Sequence, residues 1–365
     1  MDILLIGEFS SYHRYLKQGL QSLNHNVTLI SNGDGWKKIG DSDRVLYRKD
    51  TSGLRGLYDR YVSPFIMNSK LKKYDVIQFV NPLLYPCLVN KAMLLQLSNH
   101  GRIVSLAATG SDYALMRAYL DGKFEYSVFD DDKSFFEVYN HRKVKGKLWL
   151  NSEKKLISRV DVIIPTMYEY ACGYKSNPKL AGVIPLPVNC DEINYIPNRI
   201  DGKIVFYHGL NREAEKGTKY IVKALERLKE KYPNDVEIIV KGHMPFNEYY
   251  EIVKKSNVII DQCMDYSYGI NACIGMAQGK VVMAGNRSES RDALNVKESP
   301  IINITPSSEQ IYSQLEYIID RKGDLEEMGL NSRKYCEKTH DCKKVALKYL
   351  EAWRAIDDLP VKSTS

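Results

Sequence analysis

The chain has 365 residues, of which 44% are hydrophobic and 27% charged, and its net charge is +7. This length exceeds one ordinary hydrophobic core and predicts two domains, and the composition excludes a disordered chain. No apolar run reaches the roughly 18 residues that a membrane helix needs. Seven scattered cysteines without a CxxC pair disfavour a zinc site. The first residues, "MDILLIGEFS", look like a buried strand rather than a signal peptide, so we expect a reduced, cytoplasmic protein.

The positive charge is concentrated in the first half of the chain. Residues 1–187 hold 26 Lys and Arg against 18 Asp and Glu, with clusters at Leu54–Lys73 and His141–Lys155. Such segments can dock on anionic lipid or on a phosphorylated substrate, which would place the protein at the inner face of a membrane. A solvated basic face is the alternative that the sequence leaves open. Because no helix-turn-helix, RRM or zinc-finger pattern accompanies the charge, we expect no nucleic-acid partner.

The first half alternates short apolar runs with longer amphipathic stretches. A helix is predicted over Tyr12–Leu23. Continuous apolar runs between helices are typical of parallel strands covered on both faces. The predicted strands are Asp2–Gly7, Asn26–Ser31, Asp75–Val80, Arg102–Ala108 and Val160–Thr166.

A proline-rich segment, Gly182–Asn189, separates this series from a second one. The second series has a helix over Lys216–Tyr232 and strands over Lys203–Gly209, Val236–Gly242, Asn257–Gln262 and Lys280–Gly285. The pattern predicts two doubly wound α/β domains, 1–187 and 188–340, that face one cleft. The amphipathic helix in 341–357 is expected to pack back on the N-terminal domain.

Polar residues follow the first strands, where ligands bind in such sheets. Gly7 ends the first strand without a GxGxxG motif, which disfavours a hydride-transferring enzyme. It indicates either a tight turn or a close backbone approach to substrate. His13 and Asp112 are candidates for contacting an acceptor, although His13 could pack internally and Asp112 could cap a helix. The acidic triplet in Phe129–Lys133 is interpreted as a solvated turn, and no metal site is predicted.

Two anion-binding features fall in the second half. Arg212 and Lys216 lie in a loop just before a helix, and cations at a helix N-terminus can hold a diphosphate. Gly269 precedes an apolar helix whose first backbone N–H groups are free to bind a phosphate. Surface charge in a loop is the alternative for the two cations.

The stretches "HGLNREAEKGTKYIVKAL", "SNVIIDQ" and "YGINACIGMAQGKVVMAG" carry a resemblance. They are similar to the donor-binding half of GT-B glycosyltransferases of the family 4 type. Those enzymes have an Arg and a Lys-Gly before a helix, then an FG turn, then an EAMAxGxPV segment. Here Tyr268 and Gly269 match the FG turn, and the match extends over Lys203–Gly285. The first half is similar mainly in layout.

The resemblance implies roles for individual residues. Arg212 and Lys216 would neutralise the departing diphosphate as catalytic residues, with Asp112 on the acceptor side together with Gly7 and His13. The implied donor-binding residues are Gly242, Asp265, Tyr266, Tyr268, Gly269, Ile270 and Asn271. Both glutamates of the family's usual pair are replaced, by Tyr266 and Ile274, and Asp265 could substitute for the first.

The resemblance also implies an activity. The protein would move a sugar from a UDP- or GDP-linked donor to a hydroxyl of a glycan or lipid-linked glycan in polysaccharide biosynthesis. Transfer would retain the anomeric configuration and need neither a metal nor another cofactor. The missing glutamates leave a second hypothesis open, a non-catalytic GT-B protein that binds a glycan or a partner transferase. A GT-B phosphorylase or epimerase is a third.

Overall fold

The computed structural model describes residues 1–37 and 39–357 of the chain. Its N-terminal half is a parallel sheet with helices on both faces. The strands are β1 (Asp2–Ile6), β2 (Asn26–Ile30), β3 (Tyr74–Phe79), β4 (Gly101–Ala108) and β5 (Val162–Pro165). The helices are α1 (Tyr12–Ser22), α2 (Gly53–Tyr61), α3 (Ser63–Ser69), α4 (Cys87–Ser98), α5 (Tyr113–Leu120), α6 (Ser134–Val138), α7 (Val144–Arg159) and α8 (Tyr168–Gly173).

The C-terminal half repeats this plan. Its strands are β6 (Ile204–Gly209), β7 (Val236–Lys241), β8 (Val258–Ile260), β9 (Val281–Ala284) and β10 (Ile302–Asn303). Its helices are α9 (Glu213–Lys216), α10 (Thr218–Lys231), α11 (Phe246–Lys255), α12 (Ile270–Ala277), α13 (Ser288–Ala293), α14 (Ser308–Asp320), α15 (Leu325–Thr339) and α16 (Cys342–Asp357). The helix predicted over Lys216–Tyr232 begins later because Gly217, at φ 71°, ends α9 first.

Both sheets have the same strand order. The N-terminal sheet runs β2-β1-β3-β4-β5, and the C-terminal sheet runs β7-β6-β8-β9-β10, with all pairs parallel. The strand order reverses between β1 and β3 in the N-terminal sheet and between β6 and β8 in the C-terminal sheet. Such folds bind ligands at this switch point. The predicted fold class, two doubly wound α/β units, is confirmed.

Burial explains the composition of the strands and of α12. In β1 the side chains of Ile3 to Ile6 are fully buried, as expected for a parallel strand covered on both faces. Helix α12 is also buried, except for the partly exposed Asn271, because it packs between α15 and the strands β8 and β9. A charged side chain would be costly there, which accounts for the apolar sequence of this helix.

The chain crosses between the halves twice, at adjacent positions. Val188 pairs with the backbone of His340 and Cys342 through hydrogen bonds of 2.8 Å. Helix α16 then packs along α1, where Gly19 lies so close to the Cys342 carbonyl that any side chain would collide, and Tyr12 bonds Tyr349. Within the described residues, the helices are all too short or too polar to cross a membrane.

Candidate functional site

The two halves enclose a cavity of about 400 Å³ between the carboxyl ends of their strands. The N-terminal half contributes residues from the segments after all five of its strands. The C-terminal half contributes residues from the loops after β6 and β8, the two strands that flank its switch point. The main polar lining residues are Ser10, Asp34, Lys37, Asn81, Thr109, Ser111, Asn211, Arg212, Glu215, Lys216, Gln262 and Asp265.

Lys216 forms a buried ion pair at the C-terminal switch point. Its Nζ lies 2.7 Å from Oδ1 of Asp261, the residue that follows β8, and both side chains are almost fully buried. Burial alone would raise the pKa of Asp261, but the Lys216 ammonium outweighs it and holds this pKa below its ordinary value. The carboxylate is therefore charged, and it fixes the position of the lysine.

Arg212 is held differently. Its backbone is left-handed (φ 55°, ψ 64°) and starts the single turn of α9 that ends at Lys216, so both cations face the same cavity. Its guanidinium contacts Glu215 at 2.8 Å, and 61% of its side chain is exposed. A non-glycine residue in this conformation stores strain, which is typical of binding sites. Arg212 can therefore move toward a ligand, whereas Lys216 cannot.

A third cation reaches the cavity from the N-terminal half. Lys37 donates to Asp34 Oδ2 at 2.6 Å and to Ser10 Oγ at 2.7 Å. Burial is the main reason that the pKa of Lys37 lies below its ordinary value; Asp34 opposes this shift, and the positive charges of Arg212 and Lys216 add to it. All three cations line both this cavity and the smaller one beside it. The sequence analysis missed Lys37, which belongs to no motif.

The N-terminus of α12 lies at the same cavity. Gly269 and Ile270 line the large cavity, and Asn271 lines its smaller neighbour. The Gly269 N–H donates to Asp261 Oδ2 at 3.3 Å, so one carboxylate connects Lys216 to the helix mouth. The next N–H groups of the helix lie in its first turn, where no carbonyl of the helix can accept them. These donors and the three cations are arranged to bind an anion.

A smaller cavity of about 60 Å³ adjoins the first. It shares Ser10, Lys37, Arg212 and Lys216 with the large cavity, so the two form one continuous site. Its remaining lining is largely apolar and aromatic, and it includes Ile274, which stands where the family has its second glutamate. These residues are Ile39, Tyr207, Met244, Tyr249 and Ile274. A flat apolar ring is the chemistry that such a slot accommodates.

Asp265 is a partly exposed carboxyl that lines the large cavity. Burial and the neighbouring carboxylates Glu169 and Glu215 raise its pKa well above the ordinary value. The positive charge of Arg212 opposes this shift without cancelling it. Gln262 donates to Asp265 Oδ2 at 2.6 Å. These surroundings therefore disfavour the charged form of the carboxyl, which faces the large cavity.

Four predicted site residues are engaged elsewhere. Asp112 caps α5 by accepting from the Leu115 N–H at 2.8 Å and from the Tyr174 hydroxyl at 2.6 Å. His13 is fully buried; its Nδ1 bonds the Gly7 carbonyl, and burial lowers its pKa to about 3, so it stays neutral. In the part of the chain that the structure describes, neither residue lines either cavity. The acceptor-side roles predicted for them are therefore not carried further.

The two tyrosines of the "DYSYG" segment also point away from the cavities. Tyr266 stacks on Tyr168 at 5.7 Å, with the Arg287 guanidinium 4.3 Å from its ring centroid, in a contact between the halves. The Tyr268 hydroxyl bonds His340 Nε2 at 2.9 Å. Both residues fix the position of the α12 loop. An aromatic residue before the glycine is thus required for packing.

Gly7 and Gly242 are explained by backbone packing. Gly7 has φ 87°, and a side chain there would collide with Val80. A side chain at Gly242 would collide with the Leu210 backbone, which holds the loop that leads to Arg212.

Another contact that the sequence analysis missed joins the halves. Glu169 accepts hydrogen bonds from the backbone N–H and from the Oγ of Ser267, both at 2.7 Å.

The fold of this chain is similar to that of several solved structures. No protein-family model matches the chain, and no curated protein matches it. Among solved structures, a sucrose-phosphate synthase from Thermosynechococcus elongatus is 14% identical, with a TM-score of 0.63 over 99% of this chain and 100% of that chain. HepE from Anabaena, in complex with UDP and glucose, is 11% identical, with a TM-score of 0.62 over 97% of this chain and 100% of HepE.

A third similar structure has another activity. The UDP-GlcNAc 2-epimerase from Neisseria meningitidis, bound to UDP-GlcNAc, is 11% identical, with a TM-score of 0.55 over 97% of this chain and 100% of that chain. At sequence identities this low, the structural similarity establishes the fold alone. The chain has the GT-B architecture, with two Rossmann-like units facing a cleft.

Proposed function

We propose that this protein is a glycosyltransferase that moves a sugar from a nucleotide-diphosphate donor to a hydroxyl of a glycan or lipid-linked glycan. The observation that carries the proposal is the convergence of Arg212, Lys216 and the N-terminus of α12 on one cavity at the switch point. HepE and the 2-epimerase were solved with UDP-linked ligands, which supports a nucleotide-sugar ligand for this fold.

The diphosphate would lie against the C-terminal half. Arg212 and Lys37 would contact its oxygens after exchanging their partners Glu215 and Asp34 for the ligand, while Lys216 stays in place as a fixed charge. Negative charge accumulates on the departing diphosphate as the glycosyl bond breaks. Cations and helix N–H groups that are already oriented stabilise this transition state more than the ground state. We therefore expect that the reaction needs no metal. The resemblance to family 4 enzymes implies that it retains the anomeric configuration.

The nucleoside would lie in the smaller cavity. Tyr207, Tyr249 and Met244 offer flat or adaptable apolar surfaces for a base. Ile274 cannot accept a hydrogen bond from a ribose hydroxyl, so this chain would bind the ribose less tightly than a family member with glutamate. Asp265, which lines the large cavity, would bind the donor sugar in place of the first glutamate.

The test is donor hydrolysis and transfer with a panel of UDP-, GDP- and ADP-sugars, with and without saccharide acceptors. We expect release of free nucleoside diphosphate with at least one donor. Arg212→Ala should abolish it, whereas Arg199→Ala should not. Arg199 is also an exposed arginine, paired with Glu326 outside the cleft, and it serves as the control. No release from any donor, with no binding of any nucleotide, would contradict the proposal.

Epimerisation is the second candidate, because the UDP-GlcNAc 2-epimerase from Neisseria meningitidis shares the fold. The same incubations separate the two reactions. Proton NMR of the nucleotide sugar would show a new isomer from an epimerase, without any acceptor. A protein that binds nucleotides but neither transfers nor isomerises would instead be the non-catalytic GT-B protein.

A further inference from the structure

Helices α2, α3, α4 and α7 form a continuous outer layer on one side of the N-terminal sheet. Gln96 of α4 donates to the Phe65 carbonyl of α3 at 3.0 Å, and Asn90 of α4 donates to Ser152 of α7 at 2.7 Å. The inner sides of α4 and α7 bury Leu97 and Leu156 against the strands. We call the outward side of these four helices the α2–α7 face.

The polarity of α2 and α3 is inverted relative to an ordinary surface helix. The buried positions are small or polar: Gly56, Asp59, Pro64 and Asn68. Apart from Arg55, the exposed large side chains are apolar, with Leu54 at 87% exposure and Leu57 at 55%. They recur every three or four residues, which forms one stripe across both helices. The complete stripe is Leu54, Leu57, Tyr58, Val62 and Ile66.

Two further exposed apolar side chains lie at the N-terminal ends of α4 and α7. Leu88 is 75% exposed and Val144 is 76% exposed. The two helix ends are adjacent, because Cys87 Sγ donates to the Lys145 carbonyl at 3.5 Å. The loop before α4 supplies Asn81 to the large cavity, so this edge of the α2–α7 face borders the cleft.

The charges on the face have one sign. The four helices contain two acidic residues, Asp59 and Glu153, and both are buried and hydrogen-bonded, to Thr51 and Tyr139 respectively. Every exposed charged side chain in these four helices is therefore basic. These residues are Arg55, Lys91, Lys145, Lys147, Lys154, Lys155 and Arg159.

We propose that the α2–α7 face docks the protein on an anionic lipid bilayer. Protruding aliphatic side chains enter the boundary between headgroups and acyl chains, and lysine and arginine side chains bind lipid phosphates around them. A nucleic acid would leave the leucine stripe exposed to water, so it fits the face less well. The proposal does not depend on the donor chemistry, but it would bring a membrane-bound acceptor to the edge of the cleft.

The apolar part is tested by flotation of the full chain with vesicles of phosphatidylcholine alone or with added phosphatidylglycerol. We expect binding to the second kind. Leu54→Ser with Leu57→Ser should lower the partition coefficient roughly tenfold. Leu330→Ser with Leu347→Ser removes two exposed leucines elsewhere and should leave it unchanged. Equal losses in both double variants, or binding to neither kind of vesicle by the unaltered chain, would overturn the proposal.

The electrostatic part is tested with charge reversal. Lys154→Glu with Lys155→Glu should weaken binding by roughly fivefold or more per residue, and added salt should weaken binding of the unaltered chain. The control is Lys223→Glu with Lys229→Glu on α10, where both lysines are exposed in the C-terminal half. Equal binding to both lipid compositions, or retention on RNA without vesicle binding, would refute the anionic membrane. Calorimetry of nucleotide binding in the same variants separates this failure from a failure of the proposed transfer.

Discussion

Lys216 and Asp261 form a buried ion pair that connects the two strands at the C-terminal switch point, with Nζ 2.7 Å from Oδ1. The second carboxylate oxygen of Asp261 accepts from the Gly269 N–H at the mouth of α12. The Asp261 carboxylate therefore positions both the Lys216 cation and the N-terminus of α12, the two groups that would bind a diphosphate. This arrangement keeps the site oriented before a ligand arrives, which reduces the cost of reorganisation during binding.

Breaking this pair should be costly to stability. Lys216→Met leaves a buried, uncompensated carboxylate, and we expect a loss of about 3–5 kcal/mol in the free energy of unfolding, measured in urea. Lys216→Met with Asp261→Leu should recover most of that loss while nucleotide binding stays absent. Arg199→Met breaks the exposed Arg199–Glu326 pair and should cost at most about 1 kcal/mol. Equal costs in the two single variants would show that the buried pair is not special.

Lys37 should contribute to binding the diphosphate from the opposite half. Lys37→Met removes one charge from the cavity, and we expect the dissociation constant of a nucleoside diphosphate to rise about tenfold or more, as for a charge-assisted hydrogen bond. Lys72→Met is the control, because Lys72 pairs with Asp2 at 2.9 Å outside the cavity. An unchanged dissociation constant in Lys37→Met would confine the anion site to the C-terminal half.

Glu215 should compete with the ligand for Arg212. Because the Arg212–Glu215 contact is exposed, Glu215→Gln removes an interaction worth about 0.2–1 kcal/mol, and nucleoside diphosphate binding should tighten up to about fivefold. Glu309→Gln breaks the Arg227–Glu309 contact and should have no effect on binding. Weaker binding in Glu215→Gln would mean that Glu215 positions Arg212 instead of restraining it.

Glu8 should make stability depend on pH. Its Oε2 accepts from the Arg14 N–H at 2.8 Å, and burial raises its pKa to about 8. The pKa of Glu8 in the folded state exceeds the unfolded value of 4.5. The contribution of Glu8 to stability is therefore fully present below pH 4.5 and is lost as the pH rises through about 8. Glu8→Gln should therefore flatten the fall in unfolding free energy between about pH 5 and about pH 9. The exposed control Glu298→Gln should keep the unaltered pH profile, and an identical profile in Glu8→Gln would contradict this assignment.

Helix α16 should stabilise the N-terminal half. It buries Val345, Tyr349 and Trp353 against α1 and its surroundings. Trp353→Ala should cost about 3–5 kcal/mol of unfolding free energy, and truncation before Cys342 should lower the melting temperature clearly. The exposed substitution Leu347→Ala is the control. An unchanged melting temperature after truncation would show that the helix contributes little to the fold.

Local patterns were sufficient to predict the fold and part of the site. Apolar runs predicted the strands, and parallel strands place their carboxyl ends at one edge, so Arg212 and Gly269 could be expected to lie close together. Lys37 could not be found in this way, because its place in the site depends on how the two halves meet. The glycine-rich turn "NGDG" before it was the available signal.

Other candidate residues have packing contacts that local sequence could not predict, because burial and direction depend on distant contacts. His13 lies on the inner side of α1, and Tyr268 bonds His340, which is far along the chain. Asp112 has a cap role that its local sequence also allowed. The pairing of Lys216 with Asp261 depends on the strand order β6-β8, which no short motif encodes.

The central claim, that the C-terminal half binds a pyrophosphate group, is tested most directly by calorimetric titration of UDP, GDP and ADP into the unaltered chain and into Arg212→Ala. The corresponding nucleosides serve as ligands without phosphate. We predict that at least one diphosphate binds to the unaltered chain, that its nucleoside binds far more weakly, and that Arg212→Ala reduces the affinity at least about tenfold. Equal affinity for the diphosphate and its nucleoside, or full affinity in Arg212→Ala, would contradict the account.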